Sequence, residues 1–195
     1  MQDVWRLFAA VELPQDVRDQ AATIIADLRR DGWHARWAKP ESMHLTMRFY
    51  GDVPTTAVPG LSDAIATAIR HVGAFALQTG RLGVFPNSRN PRVLWIGLDG
   101  NTAALNRLYE EIEAASEALG FAREARGFSP HITLGRLRPD DVATLTRIDQ
   151  QLREHAPREP RPVPVERVVL YRSELLPSGA VHTPLNVFPL EAGGR

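Results

Sequence analysis

The chain has 195 residues, 44% of them hydrophobic and 24% charged, so a packed core of one domain or two small lobes is expected. Its 23 basic and 23 acidic residues balance, which argues against a broad, non-specific nucleic-acid binder but allows a local basic cleft. The chain contains no cysteine, which excludes disulfides, thiol catalysis and thiolate metal sites. It has neither a membrane-spanning apolar run nor a signal-peptide layout, so a cytoplasmic protein is expected.

The first part of the chain alternates predicted strands with predicted helices. Residues 4–11 are apolar and β-prone, which predicts a buried strand. Pro14 then opens a helix that ends near Gly32, because apolar residues recur at helical spacing between them. Residues 33–42 are predicted to form a loop, and the strand that follows stops at Gly51.

Glycine, proline and asparagine interrupt the middle of the chain. Two prolines predict a loop over residues 52–60, and apolar spacing predicts a helix over residues 61–73. Residues 75–79 are typical of a strand, and residues 80–91 are predicted to form a loop. Residues 92–98 follow as another buried strand.

The last part of the chain again mixes helices and strands. Residues 102–119 form the clearest amphipathic helix, and Gly120 caps it. A strand begins at His131, and Pro139 opens a further helix with acidic residues in its first turn. The remaining predicted elements are an exposed connector over residues 155–164 and strands over residues 165–171 and 183–189.

Two of these strands carry the same pattern of a histidine, a large aliphatic residue, a threonine and a large apolar residue. The first is His44-Leu45-Thr46-Met47 and the second is His131-Ile132-Thr133-Leu134. Because successive side chains of a strand point to opposite faces, each strand should bury its apolar row and present one imidazole and one hydroxyl. Two such strands facing each other would gather two histidines and two threonines around one point.

This set of side chains suits the cleavage of a phosphodiester. A neutral imidazole can take a proton from water while a protonated one gives a proton to a leaving oxygen, and the ordinary pKa of histidine serves both roles. Two threonine hydroxyls can hold phosphate oxygens, so the chemistry needs no metal or other cofactor. A single His-x-Thr on a strand is usually structural, but its repetition in both halves of the chain favours a functional site.

The chain also resembles a known group of enzymes, the two-histidine (2H) phosphoesterase superfamily. Within it, the chain is most similar to the RNA 2′,3′-cyclic phosphodiesterases, historically called 2′-5′ RNA ligases. The similarity extends over nearly the whole chain and rests on these segments in this order: Arg6-Leu7-Phe8-Ala9-Ala10, Leu13-Pro14, His44-Leu45-Thr46-Met47-Arg48-Phe49, Gly51, Phe85-Pro86, Pro91-Arg92-Val93-Leu94-Trp95, Phe128-Ser129-Pro130-His131-Ile132-Thr133-Leu134-Gly135-Arg136 and Leu170-Tyr171-Arg172-Ser173.

The interleaved order of strands and helices predicts an α+β fold. We expect two lobes, each a small and mostly antiparallel sheet flanked by helices, around a central cleft. The resemblance implies the same bilobal fold with pseudo-twofold symmetry. Residues 1–195 are therefore expected to form a single 2H phosphoesterase domain with a weak internal repeat.

The resemblance implies hydrolysis of a terminal 2′,3′-cyclic phosphate on RNA to a 2′-phosphate. His44 and His131 would be the catalytic residues, and we favour His131 as the base and His44 as the acid. The phosphate-binding residues would be Thr46, Thr133 and Arg136. The expected partners are RNA ends or nucleoside 2′,3′-cyclic phosphates, with no membrane, no obligate protein partner and a monomeric state.

Arg136 poses a geometric problem for this hypothesis. Strict alternation would put its side chain on the face of Ile132 and Leu134, opposite the catalytic face. A bend or bulge at Gly135 would bring Arg136 back to the face of His131. Without such a bulge, Arg136 would be structural.

Other side chains are candidates for contacts with the rest of the substrate. Arg48 is predicted to share the His44 face, where it either contacts substrate or pairs with an acid at the cleft edge. Phe8, Trp37, Tyr50 and Phe85 are candidates for stacking on a base, although core packing is favoured for each of them. Phe49 falls on the apolar row of its strand and is therefore excluded.

Several alternatives remain open at this stage. The enzyme could act on another cyclic phosphate or a small nucleotide, could also carry out reversible 2′-5′ ligation of RNA, or could be a non-catalytic module that binds RNA ends. His182 stands where members of the family often carry tyrosine, which is no reason to make it a third catalytic residue. A zinc site built from His44, His131 and His182 is disfavoured, because such a site needs three well-aligned ligands.

Overall fold

The computed structural model describes residues 3–125, 127–138, 147–176 and 179–192. Within these ranges the chain forms nine strands and four α-helices, in the mixed order expected of an α+β protein. The strands are β1 (Val4–Glu12), β2 (Arg36–Trp37), β3 (His44–Pro54), β4 (Phe75–Phe85), β5 (Val93–Gly100), β6 (His131–Arg136), β7 (Pro162–Val165), β8 (Arg167–Leu176) and β9 (Gly179–Pro189). The helices are α1 (Gln15–Arg30), α2 (Val58–Ile69), α3 (Thr102–Ala118) and α4 (Ile148–Glu154).

The strands form one antiparallel sheet that consists of two halves. The strand order is β7-β4-β5-β6-β3-β1-β8-β9, and the short strand β2 also pairs with β6. The two central strands, β3 and β6, share a single registered pair, Leu45 opposite Ile132. The sheet therefore divides between these two strands, which are the strands that carry the His-x-Thr motifs.

Each half of the sheet contains strands from both halves of the chain. Strand β4 follows the first motif in the chain but lies in the half that contains β6, whereas β8 follows the second motif but pairs with β1. The helices are exchanged in the same way. Helix α1 is joined to β4 by a hydrogen bond from the Thr79 hydroxyl to Gln20, and α3 contacts β3. None of these helices is long and apolar enough to cross a membrane within the described residues.

The predicted loop over residues 80–91 is wrong in its first part, because β4 continues through it to Phe85. The glycines in this part of β4 do not end the strand; they leave room for side chains of the neighbouring strand β5. A Cβ atom added at Gly80 would overlap the carboxylate of Asp99, and one added at Gly83 would overlap the ring of Trp95. Glycine in a strand often marks such a close approach.

Other predicted boundaries differ from the structure by a few residues. The predicted loop over residues 33–42 contains β2, and the predicted connector over residues 155–164 contains the start of β7. Strand β7 lies at the edge of the sheet, where proline is tolerated because one side of the strand needs no ladder hydrogen bonds. Strand β9 begins at Gly179, four residues before the predicted strand. The helix start predicted at Pro139 lies outside the described residues.

A β-bulge follows the first His-x-Thr motif and exchanges the faces of the residues beyond it. Ala10 pairs with Thr46, but the next residue of β1, Ala9, pairs with Arg48, so Met47 is the extra residue. In consequence, Thr46 and Phe49 share the catalytic face, although simple alternation would separate them.

A matching bulge follows the second motif. Trp95 pairs with Thr133, but Leu94 pairs with Gly135, so Leu134 is the extra residue. Because of this extra residue, Arg136 lies on the same face of the sheet as Thr133. The structure thus contains the bulge that the phosphate-ligand hypothesis for Arg136 required, but at Leu134, one residue before the predicted position.

The predicted position of Arg48 on the His44 face is wrong, because the first bulge turns its side chain towards α3. Arg48 is only 5% exposed, forms an ion pair with Glu113 and donates a hydrogen bond of 2.7 Å to the carbonyl oxygen of Ala122. Phe49, which was excluded as buried, is 45% exposed on the catalytic face. The guanidinium of Arg6 lies 4.5 Å from its ring centroid.

Glu113→Ala should lower the free energy of unfolding by about 3–5 kcal/mol, because it leaves the buried guanidinium of Arg48 without its partner. Urea denaturation of the two proteins would measure the loss. Asp27→Ala is the control, since it removes only an exposed ion pair with Arg30 and should cost at most about 1 kcal/mol. Equal losses in the two variants would contradict a structural role for the buried pair.

Candidate active site

The structure brings the two His-x-Thr motifs together on one face of the sheet. Leu45 and Ile132 are partners on the buried face, so the residues on either side of them lie on the opposite face. These residues are His44, Thr46, His131 and Thr133, all of them partly exposed.

Each catalytic candidate is anchored by a hydrogen bond to the backbone two residues earlier. Nδ1 of His44 lies 2.9 Å from the carbonyl oxygen of Ser42, and Nδ1 of His131 lies 2.7 Å from that of Ser129. Because a carbonyl oxygen only accepts, Nδ1 carries the proton in both rings. The neutral imidazoles therefore keep their lone pair on Nε2, the atom available for proton transfer.

His44 is packed among aromatic rings. Phe8 stacks on it with a centroid distance of 4.6 Å, and the ring of His182 meets it edge-on at 5.3 Å. The pKa of His44 is lowered to about 4: burial is the largest cause, the hydrogen bond to Ser42 opposes it, and positive charge on His182 and His131 adds to the lowering. His44 is thus neutral in the free protein at pH 7.

His131 has a different and less enclosed environment. Its ring meets Phe85 edge-on at 5.0 Å, and Trp95 lies beyond with a centroid distance of 6.5 Å. Burial lowers the pKa of His131, and the positive charge of Arg136 lowers it further against the opposing hydrogen bond to Ser129. Arg136 therefore acts electrostatically on His131 from the same face.

Three of the predicted substrate contacts lie outside the open cleft. Phe8 is 3% exposed and is covered by His44, so it supports that ring rather than offering a free surface. The hydroxyl of Tyr50 lies 3.1 Å from the hydroxyl of Ser116 on α3, and burial raises the pKa of Tyr50 to about 12. Tyr50 and Arg48 thus belong to the helix side of the sheet, and their prediction as substrate contacts is wrong.

Trp37 lies at the edge of the sheet, where β2 pairs with β6. It is partly buried opposite Gly135, and the guanidinium of Arg29 lies 5.4 Å from its ring centroid. It therefore serves as a side wall next to the strand that carries His131.

His182 belongs to no motif in the sequence, but the structure places it beside His44. His182 pairs with Ser173, two residues along β8 from Tyr171, and this register sets it on the catalytic face. Burial lowers its pKa, and its Nδ1 atom is buried without a hydrogen-bond partner among the described residues. In the described part of the chain, no group of three or more potential metal ligands lies close enough together to hold an ion.

Glu12 is a second residue that the motifs did not indicate. It is the partner of His44 in the strand register and lies at the end of β1. Its carboxylate accepts hydrogen bonds from Arg167 at 2.8 Å and from the Tyr171 hydroxyl at 3.2 Å. Glu12 thus ties β8 to β1 beside the catalytic face.

Two sheet halves that meet at paired His-x-Thr strands define a phosphoesterase of the two-histidine class. A family model described as LigT like Phosphoesterase matches residues 11–95 and again residues 96–182. The RNA 2′,3′-cyclic phosphodiesterase of Thermotoga maritima is 33% identical over 190 residues, which cover 96% of this chain and 97% of that protein. The protein of the same name from Thermus thermophilus is 34% identical over 201 residues, which cover 95% of this chain and 90% of that protein.

The comparison of structures agrees with these matches. The crystal structure of E. coli LigT complexed with 3′-AMP aligns with a TM-score of 0.75 at 25% identity, covering 96% of this chain and 99% of that one. The chain therefore belongs to the LigT-like phosphoesterase family. The α+β, two-histidine phosphoesterase fold predicted from the sequence is confirmed.

His182→Phe should raise the pKa of His44 above about 4, because it removes a neighbouring positive charge while keeping an edge-on ring in place. The pKa should remain below 6.5, since burial is its largest cause and persists in the variant. NMR titration of the His44 ring protons would measure the shift. The control is His71→Ala, which removes an exposed histidine after α2. An identical His44 titration in the wild type and both variants would contradict the electrostatic coupling between His182 and His44.

Proposed function

We propose that the protein hydrolyses terminal 2′,3′-cyclic phosphates of RNA to 2′-phosphates by general acid–base catalysis with two histidines. The observation that carries this proposal is the pair of imidazoles, each fixed through Nδ1, on one face with two threonine hydroxyls. Two relatives that match nearly the whole chain are named RNA 2′,3′-cyclic phosphodiesterase, which supports RNA ends as the substrate class.

The surrounding side chains would hold the phosphate in place. Thr46 and Thr133 would donate hydrogen bonds to its non-bridging oxygens, and the planar guanidinium of Arg136 would bind two oxygens at once. Acid–base catalysis supplies roughly 10²–10⁴-fold per group, so positioning and electrostatic stabilisation must supply much of the remaining acceleration.

In the proposed step, Nε2 of His131 removes a proton from water, and the oxygen of that water attacks phosphorus. The bond between phosphorus and the 3′ oxygen breaks, and His44 gives its proton to that oxygen. The product carries a 2′-phosphate and a 3′-hydroxyl. If the 5′-hydroxyl of a second RNA took the place of water, the same two proton transfers would give 2′-5′ ligation.

The unequal environments of the two histidines support this assignment of roles. His44 has a pKa lowered to about 4, so its protonated form is the stronger acid and gives up a proton readily. His131 is less deeply buried and is the stronger base of the two. The negative phosphate of the bound substrate would favour the protonated form of the acid.

A product assay in EDTA tests the reaction class and both residues together. The purified protein should convert a nucleoside 2′,3′-cyclic phosphate to the 2′-phosphate without added metal. His44→Ala and His131→Ala should each lose at least about 100-fold in kcat, because each removes one proton-transfer group. His71→Ala should retain activity as the control.

A 3′-phosphate product, or full activity in either catalytic variant, would overturn the proposed mechanism. No turnover of mononucleotide or RNA substrates would favour a module that only binds RNA ends. Efficient turnover of mononucleotides alone would favour a second candidate, hydrolysis of small nucleotides. That candidate is supported by structures of E. coli LigT complexed with 3′-AMP and with ATP.

The pH dependence of kcat/KM should be bell-shaped, with its maximum below pH 6.5. The reaction needs one proton on the histidine pair. Activity is lost as pH falls through the pKa of about 4 for His44, because both rings are then protonated and His131 cannot act as the base. It is also lost as pH rises through the pKa of His131, which lies below the ordinary 6.5. Initial rates from about pH 4 to pH 9 would test this, and a steady rise over that range would contradict a two-histidine mechanism.

A further inference from the structure

An open pocket of about 530 Å³ lies at the edge of the sheet next to β2. We call it the basic side pocket; it is lined by Arg29, Trp33, His34, Ala35, Arg36, Trp37 and Arg138. Among the residues that the structure describes, none that lines the pocket is acidic.

The basic side pocket is joined to the proposed catalytic site through one cross-strand pair. Arg36 on β2 is the registered partner of Arg136 on β6, so both side chains leave the same face of the sheet. Neighbouring strands lie about 4.8 Å apart, which sets Arg36 one strand beyond the proposed phosphate ligand. Two like charges directly opposite each other destabilise a sheet, and an anion bound between them removes that cost.

Three arginines of this region have no acidic partner among the residues that the structure describes. In the described ranges, Arg29, Arg36 and Arg136 take part in no ion pair. The acids near the end of α1 are already engaged, Asp27 with Arg30 at 2.6 Å and Asp31 with His155 at 2.8 Å. Arg29, Arg36 and Arg136 are thus available to an external anion.

Trp37 gives the pocket a rigid wall. A Cβ atom added at Gly135 would lie 3.1 Å from Cε3 of Trp37, so the indole is in close contact with β6. The guanidinium of Arg29 lies 5.4 Å from the indole centroid on α1's side of the pocket. Arginine beside an aromatic ring is a combination that single-stranded nucleic-acid sites use for phosphates and bases.

We propose that the basic side pocket binds the single-stranded RNA chain on the 5′ side of the cyclic-phosphate end. Arg136 holds the terminal phosphate, Arg36 contacts the next phosphate along the chain, and Arg29 contacts the one beyond it. The net charge of the protein is zero, so RNA affinity comes from this local cluster rather than from the whole surface. This inference rests on the proposed function, because it assigns the RNA chain that leads to the same catalytic site.

The test compares two substrates that differ only in length, adenosine 2′,3′-cyclic monophosphate and an RNA hexanucleotide with the same end. The pocket variant is Arg29→Ala/Arg36→Ala. The matched control is Arg70→Ala/Arg107→Ala, which removes two exposed arginines at the end of α2 and on α3. Both residues removed from the pocket are exposed as well, so both double variants should fold normally.

The ratio of kcat/KM for the hexanucleotide to that for the mononucleotide should fall about tenfold or more in the pocket variant, because two charge-assisted contacts to phosphate are lost. The control should keep the wild-type ratio. The slope of log(kcat/KM) against log salt for the hexanucleotide should become shallower by about 1.4, roughly 0.7 for each phosphate contact on a single strand.

A wild-type ratio and salt slope in the pocket variant would overturn the proposal. An equal fall on both substrates would also overturn it, because the arginines would then belong to the catalytic site alone. Fluorescence anisotropy with a labelled hexanucleotide bearing a 2′-phosphate decides the proposal without turnover. If the wild type hydrolyses neither substrate, the proposed reaction fails, but weaker binding by the pocket variant still supports the pocket and equal binding overturns it.

Discussion

The β-bulge after each His-x-Thr motif is the constraint on which the rest of the site depends. One extra residue in each motif strand, Met47 or Leu134, exchanges the two faces beyond it. In β6 the exchange brings Arg136 to the face of the sheet that carries His131, and in β3 it turns Arg48 towards α3, where it pairs with Glu113. The same local distortion therefore supplies an exposed cation on one strand and a buried structural ion pair on the other.

The two strands are alike in backbone but not in the environments of their histidines. His44 is enclosed by Phe8 and His182, whereas His131 is more open and lies near a permanent positive charge. Both environments lower the pKa, but burial acts more strongly on His44. Two chemically identical groups thus acquire different proton affinities from their surroundings, chiefly from burial, which suits a reaction that needs one acid and one base.

Sequence alone predicted those features that depend on local alternation and on motif resemblance. That His44 and Thr46 share a face follows from the alternation of side chains along a strand. The need for a bulge before Arg136 followed from the same alternation, which would otherwise put Arg136 on the opposite face. The reversal at Arg48 and Phe49 could not be predicted, because nothing in the composition of β3 marks Met47 as an extra residue. The contact of His182 with His44 was not predicted either, since the position of His182 depends on how β9 pairs with β8.

The exchange of strands between the sheet halves has a consequence for synthesis of the protein. Strand β1 lies between β3 and β8, so one of its edges stays unpaired on the ribosome until Arg167–Leu176 has been made. The nascent chain must therefore protect an apolar strand edge while most of its sequence is still to emerge. Because the sheet half that carries His44 closes last, a prematurely terminated chain would release an aggregation-prone fragment rather than a partly active enzyme.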